Sequence, residues 1–487
     1  MERYFVGIDN GGTNIKAAVF SSSGQQMSAA SEQTPVTVVR EGYHERDMIF
    51  LWEKTTAAIQ KAISASGIAP EKIAAVGCTG HGKGLYLWGK DGKPCAPAIA
   101  STDQRAAELV REWEQNGTTA QAGLLNLQST LACQPTALLA WLKRNQPEVY
   151  QNIQWVFEAK DYIRFMLTGR PFAEYTDSSG TGLLNLRKKA YDPELLRLYG
   201  IPEIAECLPP LADSSAHCGC VTKEAAACTG LPEGIPVCGG MFDIDACAIA
   251  MDVSDSVPIC VITGTWSINE YISQEPVAPE EGVNHSLFCM PGYYLIEESS
   301  PTSAGNLDWV RGILFGKDKP SYGEIDNMVA SVAPESSSLL FFPFLYGSNA
   351  RNRKHAAWVG LHSGHGTEHL LRAVYEGVAF SHKQHVERLL KYRKTPPYIR
   401  IAGGAANSDV WMQLFADVLE TPLQVVDGKE LGAMGAAIAA SICCGAYPDY
   451  HTAAREMVHI RKTFSPDAHK VPVYREKYAL YQEMLER

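Results

Sequence analysis

The chain has 487 residues, more than one hydrophobic core accommodates, so two domains of comparable size are expected. Hydrophobic residues make up 46% and charged residues 20%, and the formal net charge of −11 argues against nucleic acid and anionic membrane as partners. It leaves ATP open, because local loops rather than net charge hold phosphate. The first residues lack a basic, apolar leader pattern, and no run of about 18 apolar residues suggests a membrane span. The 13 cysteines are scattered, mostly in apolar settings such as Val237-Cys238 and Ile259-Cys260, and read as reduced thiols of a cytoplasmic protein. Neither Cys218-Gly219-Cys220 nor Cys443-Cys444 has a second pair at zinc spacing, and His362, His365 and His369 read as surface histidines flanking a turn.

Tyr4, Phe5, Val6 and Ile8 form an apolar run that reads as a buried strand, closed by Asp9. Asn10-Gly11-Gly12-Thr13-Asn14 reads as a tight turn that requires glycine, and residues 15–20 as a returning strand with Lys16 its polar member. This is a hairpin. It is neither a G-x-x-x-x-G-K-[ST] loop nor a G-x-G-x-x-G turn opening a helix. Its amides, with the Thr13 and Asn14 side chains, would make a concave donor surface for phosphate oxygens. Asp9 could hold Mg²⁺ at the edge of that surface, and Lys16 would add a point charge. An ordinary turn with a solvated Asp accounts for the same residues equally well.

Asp47 is placed to cap a helix whose Met48, Leu51, Trp52, Ile59 and Ile63 share one face. Residues 73–78 read as a buried strand ending in Thr79-Gly80-His81-Gly82-Lys83-Gly84, which sets His81 and Lys83 at a strand's C-terminal end, where ligands gather in α/β sheets. Asp103 and Arg105 follow another short apolar run. They could contact a polyhydroxylated ligand, although a lone Asp there more often caps the next helix. Gln134-Pro135 and Lys160-Asp161 introduce helices, the second stopped by Gly169, and Glu174 to Gly180 reads as a polar loop.

A strand then ends in Gly239-Gly240, and a small-residue helix starts near Asp243. Asp243 and Asp245 are both candidates for a catalytic base. Two residues apart on a helix, they point to nearly opposite sides, so one at most faces a given cleft. A carboxylate at a helix N-terminus is expected to stay ionised, as a base acting on an alcohol must; capping alone would also explain both.

Near residue 252 the pattern restarts. Residues 257–262 form a strand followed by Thr263-Gly264-Thr265-Trp266-Ser267, formally similar to the first turn, which suggests two halves of related architecture facing each other. A long amphipathic helix over 367–390, a strand over 399–402 ending in Gly403-Gly404, and a Gly/Ala-rich helix from Gly432 suited to close packing complete the pattern. The tail from about Tyr450 is polar and helical at its end.

Asp9-Asn10-Gly11-Gly12-Thr13-Asn14-x-Lys16, Gly239-Gly240-x-x-Asp243, Thr263-Gly264-Thr265, Gly403-Gly404 and the Gly432-to-Ala437 helix stand in the order and spacing of the FGGY carbohydrate kinases. The chain resembles that family over nearly its whole length. Within it, Gly80 to Leu85, Ser300 to Leu307, Pro343 to Ala350 and Asp409 to Gln413 look most like the bacterial L-xylulose kinase branch. The resemblance implies an α/β protein with two domains of actin/hexokinase-like (ribonuclease-H-like) fold and an interdomain cleft. These would be an N-terminal sugar-binding, catalytic domain over 1–251, a nucleotide-binding domain over 252–450 and a helical tail over 451–487.

The same resemblance implies an ATP- and Mg²⁺-dependent kinase acting on a primary hydroxyl of a ketopentose. Asp243 would be the general base and Asp9 would help place Mg²⁺. Thr13, Asn14 and Lys16 would meet ATP phosphates, with Gly264 and Thr265 near them from the second domain. Gly403, Gly404 and Asn407 would line the adenosine pocket, and His81, Gly82, Lys83 and Asp103 would hold the sugar. A homodimer is implied as well. Two departures stand out: Tyr346-Gly347-Ser348-Asn349-Ala350-Arg351 lacks the usual G-E-R-x-P form, and Gly82-Lys83 replaces the Met-His of D-xylulose kinases. Both argue against a D-xylulose enzyme and leave another ketopentose, a keto-sugar acid or a polyol as alternatives. Two rival readings share the opening motif. One is a ROK-type glucose kinase, whose Cys-rich zinc motif Cys218-Gly219-Cys220 does not match; the other is a non-kinase ATPase of the actin-like superfamily, which would need no base at Asp243.

Overall fold

In a computed structural model, which describes residues 2–277, 283–347 and 354–486, the chain divides into two compact units. The first comprises residues 1–254, 272–295 and 430–459, the second 255–271, 296–429 and 460–487.

At the centre of the first unit's sheet, Tyr4–Asn10 pairs antiparallel with Asn14–Ser21 and parallel with Ile73–Gly80. Gln26–Gln33 extends the sheet on one side, and Pro236–Cys238 and His217–Cys220 on the other. Because strand residues alternate between faces, Val6, Ile8, Ile15, Ala17 and Val19 form one core with Met48, Leu51, Ile59 and Ile163. Asp47 starts the helix Met48–Ser66, its Oδ1 accepting the Ile49 and Phe50 amides at 2.8 and 3.0 Å. Each large apolar side chain buried from this helix contributes roughly 2 kcal/mol.

The opposite face of the sheet is flat for a reason visible in the sequence. A Cβ on Gly7 would lie 1.8 Å from the Ala433 carbonyl oxygen, and one on Gly77 would lie 2.0 Å from that of Ala436. The Gly/Ala-rich helix Leu431–Cys443 therefore rests directly on sheet backbone. Gly435 brings it equally close to Ala246, where a Cβ would meet the carbonyl oxygen at 2.2 Å.

Two expectations change here. The 11–12 turn does not need glycine for its conformation: neither Gly11 nor Gly12 adopts a positive φ, and a Cβ on Gly12 would meet nothing within 4 Å. Glu174 to Gly180 is not a polar loop. It is a buried strand end and a helical turn, Tyr175–Ser178, capped by the Glu174 carboxylate. Polarity there serves a buried charge network rather than solvent.

The second unit repeats the same hairpin plan. Ile259–Thr263 pairs antiparallel with Ser267–Ser273 and parallel with Ile399–Gly403, and Leu423–Val426 and Ile460–Phe464 follow outward. The helix Thr367–Leu389 supplies much of the core through Leu371, Val374, Val378 and Phe380. Past residue 450 the chain forms a helix, a strand and the closing helix Val471–Glu486. Among the described residues, no helix is long and apolar enough to cross a membrane. Ser348 to Arg351, part of the departure noted above, lie outside the described residues.

Candidate active site

In the first unit, the strand–turn–strand at the N-terminus sets Asp9 opposite Lys16 across one ladder and beside Thr79 across the other. A Cβ on Gly432 would come within 2.8 Å of Asp9 Oδ2, so the helix Leu431–Cys443 needs glycine where it passes this carboxylate. Burial pushes the Asp9 pKa from its ordinary 3.8 up to about 6; Lys16 opposes the shift and Glu430 adds to it. Lys16 is already engaged, its Nζ lying 2.8 Å from Glu430 Oε2. Burial works against its charge, but Glu430 and Asp9 hold that ammonium above its ordinary value. Thr13 and Asn14 stand at the exposed tip, where Asn14 Nδ2 donates to Thr13 Oγ1 at 3.2 Å.

The helix Asp243–Ala250 separates the two candidate bases. Asp245 is fully buried and its Oδ1 accepts the Cys289 amide at 3.1 Å. Asp243, at the first helical position, is half-buried on a different side. Its carboxyl is not simply kept ionised by the helix N-terminus. Burial pushes its pKa well above the ordinary 3.8, Asp9 and Asp177 push further, and Lys83 only partly opposes them. The low-dielectric setting and two like charges outweigh the end of a short helix.

His81, Gly82 and Lys83 follow the strand Ile73–Gly80. Lys83 takes a left-handed backbone (φ 66°), a conformation that costs a non-glycine residue roughly 1 kcal/mol. Its charge is felt by both Asp243 and Glu158. Gly82 is tightly enclosed: a Cβ would sit 2.7 Å from the Phe242 ring and 3.0 Å from Asp177 Oδ1. His81 is buried, and burial with the nearby Arg46 charge lowers its pKa to about 4, so it is neutral at physiological pH. Asp103 caps no helix; the next one begins at Ala107 after Ala106. Its buried carboxylate serves the chain itself, accepting the His44 amide at 2.7 Å, the Arg105 amide at 2.8 Å and the Arg105 guanidinium at 3.0 Å.

Beneath this loop lie buried charged groups that no motif in the sequence marks. Lys160 is fully buried, its Nζ 2.8 Å from Asp161, 3.3 Å from Asp177 and 3.5 Å from Glu174. Burial raises the Glu158 carboxyl well above its ordinary range, reinforced by Asp177 and Asp161, and burial raises Asp177 as well. Among the described residues, Glu158 Oε2 accepts no hydrogen bond, and Asp177 Oδ2 meets only the Lys160 ammonium that Asp161 and Glu174 also share. The available signal was Glu158, Lys160 and Asp161 between the apolar pairs Val156-Phe157 and Tyr162-Ile163, charges set where a helix faces the core.

The second unit carries the other expected residues around a cavity of about 510 Å³, within the range of small-molecule sites. Gly264, Thr265, Gly404 and Asn407 line it together with Tyr375 and Trp411. Gly403 lies at the strand end with φ 103°, and a Cβ there would meet the Thr263 carbonyl oxygen at 2.5 Å, so only glycine fits. The Tyr375 and Trp411 rings stack at 4.0 Å, and Asp326 Oδ1 accepts from both Tyr375 Oη (2.8 Å) and Ser408 Oγ (2.6 Å). This aromatic pair and its carboxylate anchor come from three separate helices and were not legible in any motif.

Residues 4–250 match the N-terminal domain, and residues 259–444 the C-terminal domain, of the FGGY family of carbohydrate kinases. A probable L-xylulose kinase of Haemophilus influenzae is 38% identical over 99% of this chain and 98% of its own length. The L-xylulose/3-keto-L-gulonate kinase of Escherichia coli K12 is 36% identical over 100% and 97%. Among solved structures, the ligand-bound xylulose kinase of Lactobacillus acidophilus superposes with a TM-score of 0.90 at 24% identity, covering 99% of this chain and 97% of that one, a likeness of fold. With both halves of the chain matched in order and relatives aligned from end to end, the chain belongs to the FGGY family of carbohydrate kinases.

Proposed function

We propose that this carbohydrate kinase transfers the γ-phosphoryl group of ATP to the primary hydroxyl of L-xylulose, forming L-xylulose 5-phosphate, with Asp243 as the general base. What carries the reading is full-length kinship with chains whose names specify L-xylulose. The local chemistry agrees. Glu158 Oε2 is a buried acceptor without a donor among the described residues, and Asp177 shares one ammonium, Lys160, with two other carboxylates; sugar hydroxyls satisfy groups of this kind. His81, Gly82 and Lys83 border them, and Asp103 holds the His44 and Arg105 backbone in place beside that loop.

Phosphoryl transfer asks for positioning and charge neutralisation more than for covalent chemistry. Asp9 suits Mg²⁺. Its half-buried carboxylate is costly to ionise alone, and Mg²⁺ is commonly bound through one or two carboxylates together with substrate phosphates and water. Consistent with that, no group of three or more His, Cys, Asp or Glu forms a metal cage among the described residues. Bound Mg²⁺ would neutralise charge on the phosphates and favour the ionised forms of Asp9 and Asp243. The hairpin amides, Thr13 and Asn14 would orient phosphate oxygens, and Lys16, shared with Glu430, would contribute a partly screened charge. In the second unit, Gly264 and Thr265 would face phosphate, and Gly403, Gly404 and Asn407 with the Tyr375–Trp411 stack would receive adenosine. Asp243, its proton affinity raised, is a competent acceptor for the hydroxyl proton once ionised.

A keto-sugar acid is the second reading, favoured by the half-buried Lys83 ammonium at the sugar loop. A coupled ADP-release assay over ketopentoses, 3-keto-L-gulonate, polyols and a sugar-free control tests both. L-xylulose giving the highest kcat/KM supports the first. Preference for the acid, lost in Lys83→Met, supports the second. Absence of sugar stimulation refutes both. We place the enzyme in the cytoplasm, in keeping with 13 free thiols, and read it as a homodimer on family resemblance, which sedimentation equilibrium would check.

A further inference from the structure

The first unit contains a buried line of hydrogen bonds that joins the phosphate hairpin to the sugar loop, and no motif in the sequence announces it. Arg46, 2% exposed, sits at its centre. Its Nη2 donates to the Gly12 carbonyl, and its Nη1 lies 3.3 Å from the Gly11 carbonyl oxygen and 3.4 Å from Asn10 Oδ1. Nη1 also reaches Tyr86 Oη at 3.5 Å, and Tyr86 Oη lies 3.2 Å from His81 Nε2. His81 Nδ1 is 3.4 Å from the Gly82 carbonyl oxygen, and the His81 amide donates to the Asn10 carbonyl at 3.0 Å.

Donor and acceptor chemistry gives this line a direction. A guanidinium only donates, so Tyr86 accepts from Arg46 and its own hydroxyl proton is free to point at His81. Neutral His81 then accepts at Nε2 and carries its proton on Nδ1, which donates to Gly82. Two carbonyls of the hairpin are thereby drawn inward onto Arg46. Peptide planarity couples each carbonyl to the following amide, so the N–H groups of Gly12 and Thr13 are turned away from the guanidinium.

We infer that Arg46 is a positioning residue: it fixes the hairpin amides for phosphate and, through Tyr86 and His81, transmits occupancy of the sugar loop to that hairpin. The inference rests on the reading of residues 10–14 as the phosphate-binding hairpin. Its functional consequence is synergy, in which sugar tightens nucleotide binding by a factor carried along the Arg46–Tyr86–His81 line and the nucleotide tightens sugar by the same factor.

The test is titration of Mg²⁺ and a non-hydrolysable ATP analogue into the full chain with and without saturating L-xylulose. Wild type is expected to show at least tenfold synergy. Tyr86→Phe removes only the relay hydroxyl; synergy should fall at least fivefold while sugar-free nucleotide affinity stays within twofold. Arg46→Gln should weaken sugar-free nucleotide affinity at least fivefold, with Arg46→Lys partly restoring it, a graded response that loss of packing alone would not give. Wild type without synergy, or Tyr86→Phe retaining it, overturns the inference, and the second arm decides even where Arg46→Gln does not fold. Gly12→Val separates the two ideas. If it leaves nucleotide affinity intact, the hairpin reading itself fails; if it weakens affinity while folded Arg46→Gln does not, only the role of Arg46 falls.

Discussion

Replacing Asp9 by Asn should make the protein more stable and nearly inactive. The carboxylate is held where burial raises its pKa from 3.8 to about 6, and the difference at ~1.4 kcal/mol per pH unit is worth up to ~3 kcal/mol. The sign follows from linkage. A raised carboxyl favours the folded state fully below pH 3.8, and that advantage is lost as pH rises to about 6, so above pH 6 the folded wild type carries the whole cost of an ionised Asp9. Asn removes the charge at nearly constant volume beside Gly432. In urea unfolding at pH 8 the variant should gain up to ~3 kcal/mol, or roughly 5 °C in melting temperature, and at pH 5 about half of that. Mg²⁺ with ADP should raise the wild-type melting temperature and leave the variant's nearly unmoved. A variant less stable than wild type at pH 8, or a gain indifferent to pH, would refute the reasoning.

Four further outcomes follow from the same geometry. Asp243→Asn should keep nucleotide affinity and lose about 10²- to 10⁴-fold in kcat, read in the coupled assay; near-normal turnover would remove Asp243 as the base. Gly403→Ala, forced into a positive φ against the Thr263 carbonyl, should cost about 1–3 kcal/mol by denaturant melts and raise the KM for ATP. Asp326→Ala frees Tyr375 and Ser408 of their shared acceptor and should raise the KM for ATP about tenfold, with the sugar KM unchanged. His81 has its pKa lowered to about 4, so its contribution to stability is full above pH 6.5 and is lost as pH falls towards 4. His81→Gln should therefore flatten the stability slope over that interval by about one proton.

Much of this was legible in the chain. Residues 4–21 form two apolar runs that turn as a hairpin must, Asp47 stands before an apolar helical face, and Gly432 and Gly435 can be nothing larger where their helix passes Asp9 and the Ala246 backbone. Local geometry and close approach write themselves into residue type. Where the structure departs from the expectation, the deciding quantity is burial. Glu174 to Gly180 looked like a solvated loop because polar residues usually are, yet Lys160, fully buried on a helix nearby, makes that polarity part of a charge network. Asp243 looked like a carboxylate kept ionised by a helix end, yet its environment favours the proton.

Sequence by itself determined the two hairpins, the order of elements and the family, because these depend on short-range periodicity, turn chemistry and ordered spacing. Tertiary structure decided which carboxylate of the Asp243/Asp245 pair is committed to the core, what lies beneath the loop at residues 81–83, and that Arg46 joins Gly12 to Tyr86. These depend on burial and on contacts between residues tens to more than a hundred positions apart. The opening hairpin is legible from its residues, but burial, with Lys16 and Glu430 beside Asp9, determines how its carboxylate ionises.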